Sequence, residues 1–193
     1  MRTAQIHRKT KETDISCSLN LAGTGVAKVS TGIGFLDHMI EAFARHSRAD
    51  IELQCAGDLH VDQHHTVEDV GIVIGQAVLA CLGDQSGIER FGHMHCPLDE
   101  SLVRATVDIS GRPFLHYGLA FTRPHIGSLD SSLIREFFGG FVLHARWTVH
   151  LDCIRGENDH HIAEAAFKAF ARAARMAWLQ SGFSDIPSTK GVL

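Results

Sequence analysis

Ala49-Asp-Ile-Glu-Leu-Gln-Cys55 runs through a glycine into His64-His-Thr-Val-Glu68. Trp147-Thr-Val-His-Leu-Asp-Cys153 runs through a glycine into His160-His-Ile-Ala-Glu164, so the same order of elements occurs twice. The two histidine pairs are 96 positions apart, about half of the 193-residue chain. Internal duplication is the economical explanation of two His-His-x-x-Glu motifs in matching contexts. The predicted halves are residues 1–92 and 93–193.

Periodicity along the rest of the chain predicts an α+β fold. Alternating apolar and polar residues, typical of strands with one buried face, occur at 15–21, 26–30, 49–55, 102–109, 114–120 and 145–153. Helical spacing of apolar residues occurs at 35–43 and 162–174. Residues 67–82 are apolar nearly all round, which predicts a buried helix that ends at Gly83. Strands interrupted by helices with short connections favour α+β.

The composition excludes several classes of protein. A net charge of −4 and a pI of about 6.4 argue against a nucleic-acid-binding surface, which requires a strongly cationic face. The segment 1–14 lacks the apolar core of a secretory signal, and the longest apolar stretch, 70–82, is too short to span a bilayer. Five cysteines without a Cys-x-x-Cys pair predict free thiols rather than disulfides or a thiolate metal site. We therefore expect a cytoplasmic protein with no nucleic-acid or membrane partner.

The 14 histidines point to metal or proton chemistry. Neighbouring side chains on a helix point about 100° apart, so the two histidines of a pair face different directions. Residues four apart share a face, so His64 can act with Glu68, and His65 faces Asp69 in the same way. Each motif can thus contribute to two metal positions, and two motifs favour a dinuclear site. Imidazole and carboxylate without thiolate favour Mn, Fe, Co, Ni or Zn.

The helix before each motif offers a further ligand. His38 lies 26 residues before the first histidine pair, and Glu136 lies 24 residues before the second, so we interpret them as equivalent positions. His144, two helical turns beyond Glu136, is the alternative to it. The candidate metal ligands are His38, His64, His65, Glu68, Glu136, His160, His161 and Glu164.

A second group of residues suits an anionic ligand. The candidates are Arg90, Arg112, Lys168, Ser188 and Lys190. The C-terminal segment 187–193 combines hydroxyl groups, an ammonium and a glycine, which suits a phosphate. Lys168 lies two helical turns after His160, where it either faces the site or belongs to a polar i,i+4 stripe. Together these residues permit an anionic substrate without requiring one.

The ordered motifs resemble those of the imidazoleglycerol-phosphate dehydratase family of histidine biosynthesis, in its single-function form. The matching segments are 9–14, 31–38, 57–69, 97–100, 108–113, 156–161 and 187–191. The resemblance implies two fused halves, each a four-stranded sheet with helices packed on one face. It implies a lyase that removes water from imidazoleglycerol phosphate and leaves imidazole-acetol phosphate. It also implies a homo-oligomer of 24 subunits, with sites between subunits and two Mn²⁺ ions per site.

Residue roles follow from the same resemblance. The family's ligand positions fall on His38, His64, His65, Glu68, His160, His161 and Glu164, and its phosphate and substrate contacts fall on Arg90, Arg112, Lys168, Ser188 and Lys190. Glu12 matches a substrate-contacting glutamate and is the first candidate for proton transfer, with Asp99, Glu68 and Glu164 as alternatives. Where many members have a histidine this chain has Glu136, whose oxygen can still bind Mn²⁺ with altered affinity. A metal-dependent hydrolase and a metal-storage protein are the alternative functions.

Overall fold

Each half of the chain forms one four-stranded sheet from short alternating segments. The computed structural model describes residues 2–193, so only Met1 of the predicted first half lies outside it. The elements of the first half are β1 (Thr3–Lys9), β2 (Thr13–Asn20), β3 (Ala27–Ser30), α1 (Gly34–Ser47), β4 (Asp50–Gly57) and α2 (His64–Leu82). Those of the second half are β5 (Phe91–Leu98), β6 (Ser101–Asp108), β7 (Phe114–Gly118), β8 (His125–Ile126), β9 (Leu129–Asp130), α3 (Leu133–Ala145), β10 (Thr148–Arg155) and α4 (Asp159–Trp178).

The two sheets have the same topology. Their strand orders are β1-β2-β4-β3 and β5-β6-β10-β7. In each sheet one edge strand, β3 or β7, runs parallel to its neighbour, while the other pairs are antiparallel. Helices cover one face of each sheet, since α2 packs on β1 and β2 and α4 packs on β5 and β6. The predicted α+β fold with two homologous four-stranded halves is therefore confirmed.

Some strands and boundaries differ from the sequence prediction. Alternation alone does not predict β1 and β5, because their inward positions include Arg8 and Gly92 rather than a regular apolar series. The strand predicted over 145–153 is wrong at its start, since Ala145 ends α3 and β10 begins at Thr148. The second sheet begins with β5, just before the predicted division after residue 92. The short hairpin of β8 and β9 adds to the second half an element that alternation does not predict.

The helices pair across the two halves. α1 packs against α4, and α2 packs against α3. α1 and α4 meet through aromatic side chains, with 5.6 Å between the ring centroids of Phe43 and Phe170. α2 and α3 meet through backbone instead, because a Cβ added at Gly71 would collide with the carbonyl oxygen of Phe137. The halves therefore share one core, and each places helices against the other.

The C-terminal ends of α1 and α3 fix the correspondence between the halves. Both helices are followed by an arginine in the left-handed conformation, Arg48 with a φ of 64° and Arg146 with a φ of 61°. With this offset of 98 positions, His38 corresponds to Glu136. His144 corresponds to a residue two turns after His38, so the helix register pairs Glu136 rather than His144 with His38.

α2 is a long, apolar helix in the centre of the molecule. Its 19 residues are enough, by length and composition only, to cross a membrane, although the apolar stretch 70–82 alone is too short. Of its apolar window, 72% is buried inside the protein, as in the core helix of a soluble domain. The helix ends at Gly83, whose φ is 58°, as predicted. Its length is therefore weak evidence for a membrane span.

Candidate metal centre and substrate site

Both histidine pairs lie at the N-terminal ends of long helices. The backbone N–H of His64 donates to Asp62 Oδ1 at 2.8 Å at the start of α2, and the N–H of His160 donates to Asn158 Oδ1 at 2.9 Å at the start of α4. A short polar residue two positions before each pair thus satisfies an N–H group that has no partner within the helix. Both motifs therefore lie in the first turn of their helices, His64 at the first residue of α2 and His160 at the second residue of α4.

Three side chains near the start of α4 form the tightest candidate metal site. His160 and Glu164 lie one turn apart, with 3.1 Å between His160 Nε2 and Glu164 Oε2. His38 approaches from α1, with 3.4 Å between its Nε2 and the same carboxylate oxygen. One ligand atom from each residue lies within 4.8 Å of the other two. Within residues 2–193 no other group of three histidine, cysteine or carboxylate side chains meets this distance.

The position of His38 differs from the one that spacing indicates. Sequence order associates His38 with the histidine pair of its own half. The structure brings it to the pair of the other half, because α1 packs on α4 rather than on α2. The tight group is therefore built between the halves, from residues 126 positions apart in the case of His38 and Glu164.

The corresponding group on α2 is more open. His64 Nε2 and Glu68 Oε2 are 3.7 Å apart, so the predicted i,i+4 pair is present. α3 crosses α2 here, since a Cβ added at Gly140 would lie 2.7 Å from the carbonyl oxygen of Glu68. Glu136 lies one turn before Gly140, but its Oε1 is 3.7 Å from Nη1 of Arg135. The structure places Glu136 beside this group without bringing its carboxylate to the ligand atoms.

The second histidine of each pair faces away from the first. The rings of His64 and His65 are inclined by 83° with centroids 6.1 Å apart, and those of His160 and His161 by 86° with centroids 6.2 Å apart. The Nε2 atoms of each pair also face different carboxylates: Glu68 and Glu12 in the first pair, Glu164 and Asp99 in the second. Adjacent histidines are thus available to different metal positions.

His65 points toward the turn between β1 and β2. Its Nδ1 lies 3.0 Å from Asp58 Oδ2, and its Nε2 lies 3.7 Å from Glu12 Oε1. The expectation that His65 acts with Asp69 is wrong. Asp69 is buried instead and accepts a hydrogen bond from Thr13 Oγ1 at 2.5 Å.

His161 has similar surroundings, supplied by the turn between β5 and β6. Its Nδ1 lies 2.8 Å from Glu100 Oε2, and its Nε2 lies 3.8 Å from Asp99 Oδ2. Glu12 and Asp99 therefore occupy corresponding places, each facing the Nε2 of a second histidine. The structure puts both of these candidates for proton transfer beside a predicted metal ligand.

Hydrogen bonds to carboxylates shift the pKa of these histidines. The bond to Asp58 raises the pKa of His65, and the bond to Glu100 raises the pKa of His161. The same contact with His161 lowers the pKa of Glu100 well below its ordinary value. The second histidine of each pair is thus more basic than an ordinary histidine, because a hydrogen bond to a carboxylate favours its protonated form.

Lys168 binds a candidate metal ligand directly. Its Nζ lies 2.7 Å from Glu164 Oε1, one turn away on α4, so the i,i+4 pair expected of a polar stripe is present. Partial burial raises the pKa of Glu164, but the ammonium of Lys168 and the ring of His160 outweigh it, and the net pKa is lowered. The structure therefore places Lys168 beside the tight group of candidate ligands.

Two other anion-binding candidates support the C-terminal segment. Arg90 donates from Nε and Nη2 to both carboxylate oxygens of Asp108, and from Nη1 to the carbonyl oxygen of Pro187 at 2.8 Å. Arg112 lies in the turn after β6, where a Cβ added at Gly111 would collide with the backbone of Leu193. Both arginines are thus close to the chain segment that carries the remaining two candidates.

Ser188 and Lys190 lie together in that segment. The N–H of Lys190 donates to Ser188 Oγ at 3.2 Å, and the N–H of Gly191 donates to the carbonyl oxygen of Ser188 at 2.9 Å. Four of the five predicted anion-binding residues therefore lie in or around the C-terminal segment 187–193, called the tail below. The fifth, Lys168, lies elsewhere.

Asp58 and Glu100 contact predicted metal ligands, and neither was among the residues predicted from the sequence. Both lie inside segments that carry the family resemblance, 57–69 and 97–100. Comparison of the two halves does not find them, because Asp58 follows β4 whereas Glu100 follows β5. The sequence does contain one signal for each contact. Asp58 is a carboxylate in the segment just before the first histidine pair, and Glu100 is a carboxylate in the turn that faces the second pair.

The fold and the site together define an enzyme built by duplication, with a histidine and carboxylate centre at the start of each long helix. Imidazole nitrogens and carboxylate oxygens, with no thiolate among them, suit manganese and similar divalent ions. The basic tail adds groups that suit an oxyanion.

Comparison with known proteins assigns the family. The model of the family described as imidazoleglycerol-phosphate dehydratase matches residues 31–174. The imidazoleglycerol-phosphate dehydratase of Aminomonas aminovorus is 54% identical over 195 residues and covers 100% of both chains. That of Psychrobacter sp. (strain PRwf-1) is 52% identical over 100% of this chain and 93% of its own length. The crystal structure from Staphylococcus aureus superposes with a TM-score of 0.84 at 39% identity, over 92% of this chain and 99% of that one. The chain belongs to the imidazoleglycerol-phosphate dehydratase family, the hydro-lyases of histidine biosynthesis.

Proposed function

We propose that this chain dehydrates imidazoleglycerol phosphate to imidazole-acetol phosphate with two Mn²⁺ ions in each active site. The observation that carries the metal requirement is the convergence of His38, His160 and Glu164 from two halves of the fold. By the same pattern, a second group would contain His64, Glu68 and Glu136. The outward nitrogens of His65 and His161 supply the remaining proposed ligands.

Carboxyl groups of the chain would accept and donate the protons in this reaction. Loss of water requires removal of a proton from carbon and protonation of a departing hydroxyl group. When bound, the ions supply Lewis acidity and hold the substrate. Glu12 is the first candidate for proton transfer, because its carboxylate is half exposed beside His65. Asp99 is the alternative on the other half, while Glu68 and Glu164 are occupied by histidine contacts.

The tail would bind the phosphate of the substrate. Arg90 fixes the segment through Pro187, and the ammonium of Lys190 is exposed and free to pair with an oxyanion. Ser188 adds a hydroxyl group, and Arg112 lies nearby. Binding energy from this remote group would orient the reacting carbons.

Within one chain the tail and the metal ligands are far apart. The backbone N–H of Arg90 donates to the carbonyl oxygen of Ala177, near the end of α4, whereas His160 lies at its start. A separation of 17 helical residues corresponds to about 25 Å. The substrate, an imidazole ring with a phosphorylated three-carbon chain, spans roughly 10 Å from its bond lengths. One chain therefore does not bring both groups to the same substrate molecule.

This distance supports active sites between subunits. The tail of one copy would meet the metal ligands of another, in the 24-subunit homo-oligomer that the family resemblance implies. The partners of the chain are then other copies of itself and the small phosphorylated substrate. We propose the cytoplasm as its location, in keeping with free thiols at all five cysteines.

Mixed assemblies test this proposal. Lys190→Glu damages only the tail, and His160→Ala damages only the metal group, so each variant alone should have little activity. If sites lie between subunits, co-expressed variants should regain about one quarter of the wild-type activity by random mixing. A mixture of His38→Ala with His160→Ala is the control, because both changes damage the same group and should regain nothing.

Two outcomes would contradict the proposal. Mixed assemblies isolated through two different affinity tags that remain inactive would exclude sites shared in this way. Wild-type activity that survives complete chelation would exclude the metal requirement. The assay is the absorbance of the keto product with added Mn²⁺, beside metal analysis and size-exclusion chromatography.

A further inference from the structure

We infer that Asp58 and Glu100 are positioning residues, each of which fixes the second histidine of a pair so that its Nε2 carries a free lone pair. The inference rests on the proposed function, because Nε2 is the atom that would bind metal. The hydrogen bonds themselves are features of the protein without metal, so they are testable separately.

The first of these contacts is between Asp58 and His65. A carboxylate accepts hydrogen bonds only, so at 3.0 Å from Asp58 Oδ2 the Nδ1 atom must carry the hydrogen. A neutral imidazole has a single N–H group, and Nε2 is therefore left as an acceptor. The nearest acid on that side, Glu12, is 3.7 Å away, too far for a hydrogen bond that would hold the hydrogen on Nε2.

The burial of Asp58 shows that its carboxylate depends on this histidine. The side chain is only 15% exposed, and its Oδ1 is buried without a hydrogen-bond partner in the part of the chain that the structure describes. A buried carboxylate is costly unless it is paired. Here the ring of His65 supplies its side-chain partner.

The second contact, between Glu100 and His161, is fixed at both ends. Glu100 Oε2 lies 2.8 Å from Nδ1 of His161. Its other oxygen accepts from Ser101 Oγ and from the backbone N–H of Asn158, each at 2.9 Å. Asn158 also caps α4, so the carboxylate is tied to the start of the helix that carries His161.

The two halves form this contact with residues that are not equivalent. The position 96 residues after Asp58 is occupied by Ile154, an exposed apolar side chain that accepts no hydrogen bond. Glu100 comes instead from a turn between two strands. Packing requirements alone do not explain why unrelated positions present a carboxylate to the same ring nitrogen. A shared requirement for a free Nε2 does explain it.

A carboxylate behind a ligating histidine fixes its ring orientation and raises its basicity, and loss of such a partner lowers metal affinity about 10- to 100-fold. We expect Asp58→Asn and Glu100→Gln each to weaken Mn²⁺ binding by this factor. Asp58→Glu, which keeps the charge, should recover part of the loss. Asp152→Asn is the matched control, because its carboxylate also pairs with a histidine, His116 Nε2 at 3.2 Å, on the outer face of the other sheet.

The protonated nitrogen is measured on metal-free, full-length protein. Solid-state ¹⁵N NMR of sedimented, ¹⁵N-histidine-labelled protein distinguishes the two tautomers whatever the size of the assembly. The wild-type signal that disappears in His65→Gln is assigned to His65. At a pH where the ring is neutral, we expect this signal to be that of an Nδ1–H tautomer. In Asp58→Asn the same ring should shift toward the Nε2–H form, and in Asp152→Asn it should not change.

The results separate this inference from the proposed function. An Nε2–H tautomer at His65 in the metal-free wild type would overturn the inference, as would unchanged Mn²⁺ affinity in Asp58→Asn. Failure of the wild type to bind Mn²⁺ would overturn the proposed function, and the tautomer would still decide the inference. Glu100→Gln leaves one acceptor oxygen for both His161 and the start of α4, so it can also impair folding. Asp58→Asn is therefore the decisive variant, and its unfolding temperature serves as the check on folding.

Discussion

α2 and α4 begin with the same motif but pack against their partner helices in different ways. α2 crosses α3 at backbone distance, where a Cβ added at Gly75 would lie 2.5 Å from the carbonyl oxygen of Phe141. α4 is held away from α1 by stacked aromatic rings. The wider spacing leaves room for His38 to reach the ligands on α4, whereas the group on α2 stays open. One motif thus yields a closed or an open set of candidate ligands according to the helix that packs against it.

The same contrast extends to the residue one turn after each second histidine. In the first half this residue is Asp69, which is buried with Arg8 and Thr13. In the second half the corresponding residue is Ala165, which is fully buried and has no polar group. The first half therefore contains a partly buried ion pair directly beneath its motif, and the second half has only apolar packing there.

His160→Ala should have the largest effect, because it removes a nitrogen from the closed group. We expect a loss of about 4 kcal/mol of transition-state stabilisation, or about 1000-fold in kcat/KM, together with loss of bound Mn²⁺. Steady-state kinetics and metal analysis of the purified variant measure both. His150→Ala, on the exposed face of β10, should change neither, and equal losses in the two variants would contradict the assignment.

The duplication, the α+β class and the positions of the motif helices follow from local sequence patterns. The pairing of helices across the halves does not, because it depends on tertiary contacts such as that of Gly71 with Phe137. The contact of His38 with Glu164 of the other half depends on the same pairing of helices. The contact of Asp58 with His65 cannot be predicted from spacing, because it depends on the distance between a carboxylate oxygen and one ring nitrogen.

Asp69→Ala should have the next largest effect, on stability rather than on activity. The change leaves the guanidinium of Arg8 and the hydroxyl of Thr13 without their shared acceptor. We expect the free energy of unfolding to fall by about 2–4 kcal/mol at fixed protein concentration, measured by urea denaturation. Because Ala165 is tolerated at the corresponding place, the backbone itself should accept alanine. Adding Arg8→Met and Thr13→Val should recover part of the loss, and a loss in the single variant that is too small to measure would show that the ion pair contributes nothing.

Two adjacent glycines of α3 test the close crossing. Gly140→Ala should destabilise the protein by about 1–3 kcal/mol, because the added Cβ would lie 2.7 Å from the carbonyl oxygen of Glu68. Gly139→Ala, with nothing within 4 Å of the added atom, should instead gain up to about 1 kcal/mol from helix propensity. Thermal unfolding of both variants measures the difference. Equal shifts would show that backbone contact between α2 and α3 does not determine their packing.

Glu136→His should have the smallest effect and tests whether the open group can be closed. In the wild type the carboxylate lies 3.7 Å from the guanidinium of Arg135, which competes with a metal ion for its charge. A neutral imidazole is not attracted to Arg135 and offers the same donor that His38 supplies in the closed group. We expect Mn²⁺ affinity to rise by up to about tenfold, or 1.4 kcal/mol, in a competition assay with a chelating dye.

Glu136→Gln is the control for that change, because it removes the charge without adding a nitrogen and should weaken binding. If neither variant alters the affinity, position 136 is not a ligand, and the equivalence with His38 holds for the helix register alone. If Glu136→His strengthens binding, the difference between the two groups lies in one side chain. A closed set of ligands would then be possible even where α2 and α3 cross closely, provided that the side chain at position 136 is not attracted to Arg135.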